Sequence, residues 1–254
     1  MSTGPRGTGG ARGTGGRTAA TRPSAAAAGV AGPESPGGGA DGFPVGPGPA
    51  GHHEAETYRA EDPAAAAARA RAAEVGVVPV SPGTAAALTF LAATVTARSA
   101  VEIGTGTGVS ALALVAGLRT GGVLTSVDIE GEHHRLARTA MTEAGIAPTR
   151  ARLINGRALD VLPRLTDGAY DVVFADADPA ENEDYLTEAL RLLRPGGIVA
   201  FAGVLADDAA SDPARRDAGA DAVRSLRDTV RDDERLTSVL LPVGSGLLVA
   251  TVTG

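Results

Sequence analysis

The stretch that decides the fold is residues 101–110, which read Val-Glu-Ile-Gly-Thr-Gly-Thr-Gly-Val-Ser. Residues 101–103 predict the end of a β-strand, and the apolar residues 111–118 predict a helix. Between them stand three glycines at alternate positions, Gly104, Gly106 and Gly108. A glycine turn between a strand and a helix lets the backbone approach a nucleotide-like ligand, and side chains at these positions would block that approach. The stretch therefore predicts an open α/β sheet with a ligand site at this turn.

The spacing of the glycines separates two kinds of ligand. The dinucleotide motif needs its third glycine where Val109 stands, which disfavours an NAD-dependent oxidoreductase. The pattern G-x-G-x-G, preceded by Glu102, resembles motif I of the class I methyltransferases, which bind S-adenosylmethionine (SAM). Asp128 ends the next predicted strand, and an acidic residue there can accept hydrogen bonds from both ribose hydroxyls. Two alternatives stay open here: a glycine-rich loop of another α/β protein, and a helix-capping role for Asp128.

Composition excludes several kinds of chemistry and location. The chain has 254 residues, a formal net charge of -7, no cysteine and no lysine, since all 23 basic residues are arginine. Disulfides, thiolate catalysis and an ammonium base are therefore excluded. No stretch approaches the roughly 18 apolar residues that span a bilayer, and the apolar run at residues 25–28 is too short for a signal peptide. We expect a cytoplasmic protein that does not bind membranes.

Residues 1–51 differ in composition from the rest of the chain. They are mostly Gly, Ala, Pro, Ser, Thr and Arg and hold almost no large apolar side chain, so they cannot offset the entropy of ordering. We predict a disordered tail over residues 1–51 and one folded domain over residues 52–254. Scattered arginines in the tail, followed by an acidic domain, do not favour nucleic-acid binding.

Strand and helix patterns alternate through the folded domain. Alternation predicts a mostly parallel sheet with helices on both faces, and the Gly244-Ser245-Gly246 turn predicts a closing antiparallel hairpin. The predicted strands are residues 100–103, 123–128, 151–155, 170–175, 197–202, 236–242 and 247–253. The predicted helices are residues 63–74, 82–96, 110–118, 132–144, 158–165, 182–193 and 215–231. The expected architecture is a Rossmann-like α/β fold with a seven-stranded sheet.

Further stretches indicate which family of class I methyltransferases the chain resembles. Residues 192–197 read Leu-Leu-Arg-Pro-Gly-Gly, as class I methyltransferases do before their fifth strand, although proline and glycine there also have a structural reason. Residues 170–178 read Tyr-Asp-Val-Val-Phe-Ala-Asp-Ala-Asp. Together with residues 78–82 and 154–158, they resemble the cation-dependent O-methyltransferases, the family of catechol and caffeoyl-CoA O-methyltransferases. The resemblance covers residues 75–253 and includes a branch of small actinobacterial O-methyltransferases that lack the full metal site.

The resemblance implies a cofactor-binding role for eleven positions. Val80 would cover the methionine end of SAM, and Asp128 would take the ribose hydroxyls. Arg157 and Ala158 would flank the adenine, and Asp176 would lie where cofactor, metal and acceptor meet. The glycine turn and its flanking residues would line the amino acid and the ribose. The implied residues are Val80, Glu102, Gly104, Thr105, Gly106, Ser110, Asp128, Ile129, Arg157, Ala158 and Asp176.

The pattern departs from the family at the metal site. The resemblance implies a divalent cation held by Asp176 and by an Asp-Asn pair after the fifth strand, but Ala202 and Gly203 stand at the positions of that pair. A hard cation takes about six oxygen ligands, so one carboxylate is a poor site. Asp207 and Asp208 could substitute only by converging on the same point, and we interpret them as part of a solvated loop. We therefore expect no divalent metal.

The residue at the position of the family's general base also differs. Family members often place a lysine directly after Asp-Ala-Asp, and Pro179 stands there. A phenol with a pKa near 10 is only about 0.1% ionised at pH 7, a cost of roughly 4 kcal/mol that metal and lysine reduce. Asp176, desolvated and without a metal partner, is the predicted catalytic base. We interpret His133 and His134 as a solvated surface pair. All other candidate bases considered are His52, His53, His133, His134, Tyr58 and Tyr185.

These observations predict a SAM-dependent O-methyltransferase that methylates a hydroxyl of a small, phenol-like acceptor without the family's metal. The alternative is a non-catalytic module that binds SAM or S-adenosylhomocysteine (SAH), since the cofactor half of the pattern is intact and the catalytic half is changed. Members of the family are commonly homodimers, so the resemblance also implies a homodimer.

Overall fold

Seven strands form one mixed sheet in the structure, a computed structural model that describes Met1, residues 48–206 and residues 218–253. The strands are β1 (Ser99–Ile103), β2 (Val123–Asp128), β3 (Ala151–Asn155), β4 (Tyr170–Ala175), β5 (Leu193–Ala202), β6 (Leu236–Leu241) and β7 (Leu247–Val252). The α-helices within these ranges are α1 (Pro49–Thr57), α2 (Pro63–Glu74), α3 (Pro82–Thr94), α4 (Val109–Gly117), α5 (Gly131–Glu143), α6 (Ala158–Val161), α7 (Asn182–Leu192) and α8 (Ala218–Asp232). The predicted Rossmann-like α/β architecture is confirmed.

The order of the strands is β3-β2-β1-β4-β5-β7-β6. Strands β1 to β5 pair in parallel, and β7 runs antiparallel to both β5 and β6. The predicted closing hairpin is therefore present, with its second strand inserted beside β5 and its first strand at the edge. The chain order reverses between β1 and β4, and open α/β sheets bind ligands at the carboxyl ends of the strands at such a point.

The start of β5 is the main difference between the predicted and observed elements, whereas β2, β3 and β4 have the predicted bounds. Leu193 already pairs with Tyr170, and the register then shifts before regular pairing resumes at Ile198. Arg194 forms an ion pair with Asp171 beside this irregularity. The predicted turn ahead of the strand thus lies inside it, because a contact with a distant strand extends β5 backwards.

Alternate residues of the strands face two separate apolar layers, as the two-residue period of a strand requires. On one face, Ala100, Leu124 and Phe174 belong to a buried cluster with residues of α2, α3, α4 and α5. On the other face, Val101 and Val173 belong to a cluster with residues of α6, α7 and α8. Helices on both faces leave the carboxyl ends of the parallel strands open for a site.

The carboxylate of Glu56 connects α1 to two other parts of the domain. Glu56 Oε2 accepts the N–H of Gly83 at 2.7 Å, and Oε1 accepts the N–H of Gly244 at 2.7 Å. Burial would raise the pKa of Glu56, but hydrogen bonds from Ser81, Gly83 and Gly244 outweigh it and hold the pKa below its usual range. The helix therefore lies between the first turn of α3, whose dipole favours an anion, and the turn between β6 and β7.

The predicted boundary between tail and domain, after residue 51, falls inside α1, which begins at Pro49. A proline at the first helical position favours a start there. Residues 2–47, which make up most of the predicted tail, lie outside the described residues. Within the described ranges, no helix combines the length and the apolar composition that crossing a bilayer requires.

Candidate active site

A cavity of about 440 Å³ opens at the carboxyl ends of β1 and β4, where the order of the sheet reverses. Its volume is within the range of small-molecule sites. Of the predicted cofactor-binding residues, Glu102 is the one that does not line it. Those that do are Val80, Gly104, Thr105, Gly106, Ser110, Asp128, Ile129, Arg157, Ala158 and Asp176.

The three glycines of the turn are needed for different reasons. A Cβ on Gly104 would lie 2.1 Å from the carbonyl oxygen of Asp176, and a Cβ on Gly108 would lie 3.1 Å from the backbone of α5. A Cβ on Gly106 would meet no atom closer than Cγ1 of Val77, at 3.5 Å. The missing side chain at Gly106 therefore leaves open space beside the cavity, whereas Gly104 and Gly108 allow close packing of the protein against itself. All three have positive φ, which favours glycine.

The carboxylate of Asp128 joins the glycine turn to the cavity. Oδ2 accepts the N–H groups of Thr105 and Gly106 at 2.9 Å each, and Oδ1 accepts the N–H of Glu130 at 2.9 Å. The bond to Glu130 closes a local turn ahead of α5, but the N-cap of that helix is Glu130 and no side chain caps it, so the capping alternative for Asp128 is wrong. Asp128 also lines the cavity, and Nδ1 of His133 lies within 3.2 Å of both of its oxygens. The residue therefore shapes the turn and faces the cavity at the same time.

Glu102 lies behind the cavity wall. Its side chain is fully buried, one oxygen accepts the hydroxyl of Ser126, and the other has no hydrogen-bond partner in the described part of the chain. Burial raises the pKa of Glu102 to about 8, against the effect of the hydrogen bond from Ser126. The nearby charges of Asp176 and Asp128 raise it as well. Glu102 is therefore largely neutral at pH 7, which its sequence position did not predict.

Asp176 follows β4 directly and faces the same cavity as Asp128. Its backbone N–H donates to the carbonyl of Ile103 at 2.9 Å, which fixes it beside the end of β1. Burial raises the pKa of the Asp176 carboxyl to about 6. In residues 48–206 and 218–253, no hydrogen bond or ion pair reaches this carboxylate. It is thus a desolvated acceptor whose lone pairs stay available to a ligand.

The rim of the cavity carries a small polar network that sequence reasoning missed. Arg157 forms an ion pair with Glu181, and the hydroxyl of Tyr185 donates to the other oxygen of Glu181. All three side chains line the cavity. The four-residue spacing of Glu181 and Tyr185 was the available signal, since it brings two side chains together near the start of a helix.

A family model covers most of the folded chain. The model of the O-methyltransferase family matches residues 65–252. The chain belongs to this family. A relative from Mycobacterium sp. (strain JLS), named "Putative O-methyltransferase", is 49% identical over 196 residues, which are 77% of this chain and 89% of that protein. The predicted resemblance is confirmed, and the chain is an O-methyltransferase of the SAM-dependent class.

Two solved O-methyltransferases share the fold. TomG from Streptomyces achromogenes, involved in Tomaymycin synthesis and solved with SAM, is 32% identical with a TM-score of 0.73 and covers 80% of this chain and 95% of its own. The enzyme from Bacillus cereus, solved with SAH, is 26% identical with a TM-score of 0.72 and covers 79% of this chain and 96% of its own. These similarities leave no support for an NAD-dependent oxidoreductase.

The residues that the structure describes in this O-methyltransferase do not fit a divalent cation. Ala202 ends β5 and Gly203 follows it, so neither family ligand position has a side-chain oxygen beside Asp176. No group of three or more His, Asp or Glu in the described ranges could hold a metal ion. Asp207 and Asp208 lie outside the described residues. One carboxylate falls far short of the roughly six oxygen ligands that such a cation takes.

The residue at the family's lysine position has a structural role in this methyltransferase. Pro179 begins a 3-10 turn, Pro179–Glu181, whose cap is Asp178. The carboxylate of Asp178 accepts the N–H of Ala180 at 3.0 Å. Within the described residues, the segment after Asp176 therefore forms a tight turn and presents no amine to the cavity.

The interpretation of the two adjacent histidines as a solvated pair is wrong. His134 is buried, with 4% of its surface exposed, and burial lowers its pKa. His133 lines the cavity and contacts Asp128. A helix that begins at Gly131 turns its first residues back over the end of β2, and this placement depends on packing that the local sequence does not report.

The other candidate bases are poorly placed or poorly suited. Tyr185 is buried, and burial together with Glu181 raises its pKa well above the usual range, so it does not ionise near neutral pH. Tyr58 is exposed on the surface. His53 is exposed on α1, and His52 lines a separate open cavity beside Glu56. Of the candidates considered, Asp176 lies in the main cavity and has a carboxylate to which no described residue forms a hydrogen bond or ion pair.

Proposed function

We propose that this enzyme transfers a methyl group from SAM to a hydroxyl of a small, phenol-like acceptor without a divalent cation. The observation that carries the proposal is that Asp128 and Asp176 face one cavity at the point where the sheet order reverses. The SAM and SAH complexes of TomG and of the Bacillus cereus enzyme support the choice of cofactor. The role of TomG in Tomaymycin synthesis supports a small-molecule acceptor.

The ten predicted residues that line the cavity would bind the cofactor. Asp128 would accept hydrogen bonds from the ribose hydroxyls, and Gly106 would leave room for the cofactor to approach the backbone. Glu102 would act from behind the wall, where it accepts a hydrogen bond from Ser126. SAM, when bound, supplies a methyl group already activated as an electrophile on its sulfonium.

The protein's part in the reaction is to align the acceptor and to take its proton. Holding the acceptor oxygen in line with the methyl carbon lowers the entropic part of the reaction barrier. Asp176 would accept the hydroxyl proton of the acceptor as the oxygen attacks the methyl carbon and the bond from that carbon to sulfur breaks. Its carboxylate, which no described residue contacts, and its position after β4 support this role.

A cytoplasmic location, the homodimer and the division into tail and domain stay predictions.

Methyl transfer in the presence of a chelator tests the function and its metal independence together. The full-length protein is incubated with SAM labelled in its methyl group and a panel of phenols and catechols, with excess EDTA or with added Mg²⁺. We expect transfer of label to at least one acceptor at equal rates under both conditions, because the described residues offer one carboxylate to a cation. Activity lost in EDTA and restored by Mg²⁺ would show that residues outside the described ranges complete a metal site. Binding of SAM with no transfer to any acceptor would favour the non-catalytic module.

Replacing Asp128 tests the cofactor assignment. We expect Asp128→Ala to weaken SAH binding about 100-fold in calorimetry, since hydrogen bonds to a charged group contribute roughly 1.5–3 kcal/mol each and the ribose has two hydroxyls. Asp128→Asn keeps one acceptor for the glycine turn, so it separates loss of ribose contacts from loss of the turn. NAD should not bind the wild-type protein. Tight NAD binding, or unchanged SAH affinity in both variants, would contradict the assignment.

A further inference from the structure

The carboxylate of Asp128 has one acceptor position that the backbone does not use. Three backbone N–H groups, those of Thr105, Gly106 and Glu130, already donate to it. An ionised carboxylate has about four acceptor positions on its two oxygens. The remaining side of the group is the one that a further donor from the cavity can reach, and a ribose would need it.

His133 fills that side in the structure. Its Nδ1 lies 3.1 Å from Oδ1 and 3.2 Å from Oδ2 of Asp128, so the ring nitrogen bridges the two oxygens almost symmetrically. A ribose hydroxyl that donates to the remaining acceptor position would approach the carboxylate from the same side. The imidazole and a ribose diol therefore exclude each other from this position.

The His133 side chain has room to leave the carboxylate. It stands in the first turn of α5 and is 22% exposed, whereas Asp128 is held in place by its three backbone bonds and is 8% exposed. The neighbouring His134 is buried in the helix packing and has no such freedom. Of the two partners in the contact, the histidine is thus the one that can move.

We propose that His133 competes with the ribose of SAM and SAH for Asp128, so that it lowers the affinity of the enzyme for both. This inference rests on the proposed function, because it requires a cofactor with a ribose diol at Asp128. His133 is a positioning residue in this scheme: it turns outward when the cofactor binds and returns to Asp128 when SAH leaves. Its effect is to weaken retention of the product.

Calorimetric binding of SAH to two His133 variants tests the competition. We expect His133→Leu to bind SAH about tenfold more tightly than the wild type, because a hydrogen bond to the carboxylate no longer has to be broken. We expect His133→Asn to keep the wild-type affinity, since the asparagine Nδ2 stands close to the place of Nδ1 and can still donate. Thr139→Ala, on the same helix and away from the cavity, is the matched control and should leave the affinity unchanged.

A second probe separates competition for Asp128 from a general change in the cavity. An SAH analogue that lacks both ribose hydroxyls should bind the wild type and His133→Leu with equal affinity. Equal or weaker SAH binding by His133→Leu, or the same gain for the analogue as for SAH, would overturn the inference. Failure of SAH to bind the wild type would instead remove the proposed function, and this inference with it. Thermal unfolding followed by circular dichroism verifies that each variant is folded.

Discussion

Asp176→Ala is expected to lower the rate of methyl transfer by 10²- to 10⁴-fold, the usual contribution of a positioned general base. The loss should appear in kcat, because the carboxylate acts on the proton of the acceptor in the transition state. We expect SAH affinity to change far less than kcat, since Asp176 is one of ten cavity residues that would bind the cofactor. Rates come from label transfer to the best phenol, and affinities from calorimetry.

The environment of Asp176 is the reason to expect so large an effect. Burial raises the pKa of the carboxyl to about 6, which leaves it mostly ionised at pH 7 and still basic enough to share a proton. Among the candidate bases considered, Asp176 combines a place in this cavity with a carboxylate that no described residue contacts through a hydrogen bond or ion pair.

Two further variants distinguish this role from a general effect of charge. Asp176→Asn keeps the size of the side chain but cannot take a proton, so it should lose activity as Asp176→Ala does. Asp184→Ala removes an exposed carboxylate from α7 and should keep wild-type turnover. If Asp176→Asn retained most of the wild-type rate, another residue would have to be the base.

Glu102→Gln is expected to stabilise the protein at neutral pH and above. The pKa of Glu102 in the folded protein is raised by burial to about 8, whereas an unfolded glutamate ionises near 4.5. The folded state therefore holds a proton that the unfolded state has lost, and stability from this group falls as the pH rises from about 4.5 to about 8. Glutamine has nearly the same shape and cannot ionise, so the stability of the variant does not fall over this pH range for this reason.

Urea unfolding at several pH values measures the size of the effect. One pKa unit corresponds to about 1.4 kcal/mol, so the variant should be more stable by roughly 2–4 kcal/mol at pH 7 and close to the wild type at pH 4. Glu74→Gln, at an exposed position at the end of α2, is the matched control and should follow the wild-type pH profile. Parallel pH profiles for Glu102→Gln and the wild type would show that Glu102 is not ionised differently in the two states.

Much of the fold could be predicted because its signals are local. Short apolar runs bounded by glycine, proline or acidic residues define β2, β3 and β4, and the structure has the same bounds. The first residues of β5 could not be predicted, because Leu193 is a strand residue only through its pairing with Tyr170. A helix pattern followed by proline and glycine gives no sign of that distant contact.

The candidate site also has a part that could be predicted from the sequence and a part that could not. Motif spacing places Asp128 and Asp176 at the ends of β2 and β4, the two strands that flank β1, and both line the cavity. The burial of Glu102 depends on how α4 and β2 pack around it, and the contact of His133 with Asp128 depends on where α5 begins. Both are properties of packing, which residue types and spacing report only indirectly.

The contact between Gly104 and Asp176 bears on how this enzyme could acquire new acceptors. A Cβ on Gly104 would strike the carbonyl oxygen of Asp176, and the N–H of Asp176 donates to Ile103, so main-chain atoms set the separation of the glycine turn and the proposed base. Directed evolution could exchange side chains that line the cavity, such as those of Val77 and Val78, to admit larger or differently shaped molecules. The distance between the glycine turn and the proposed base would not change, because main-chain contacts fix it and the side chains that line the cavity do not.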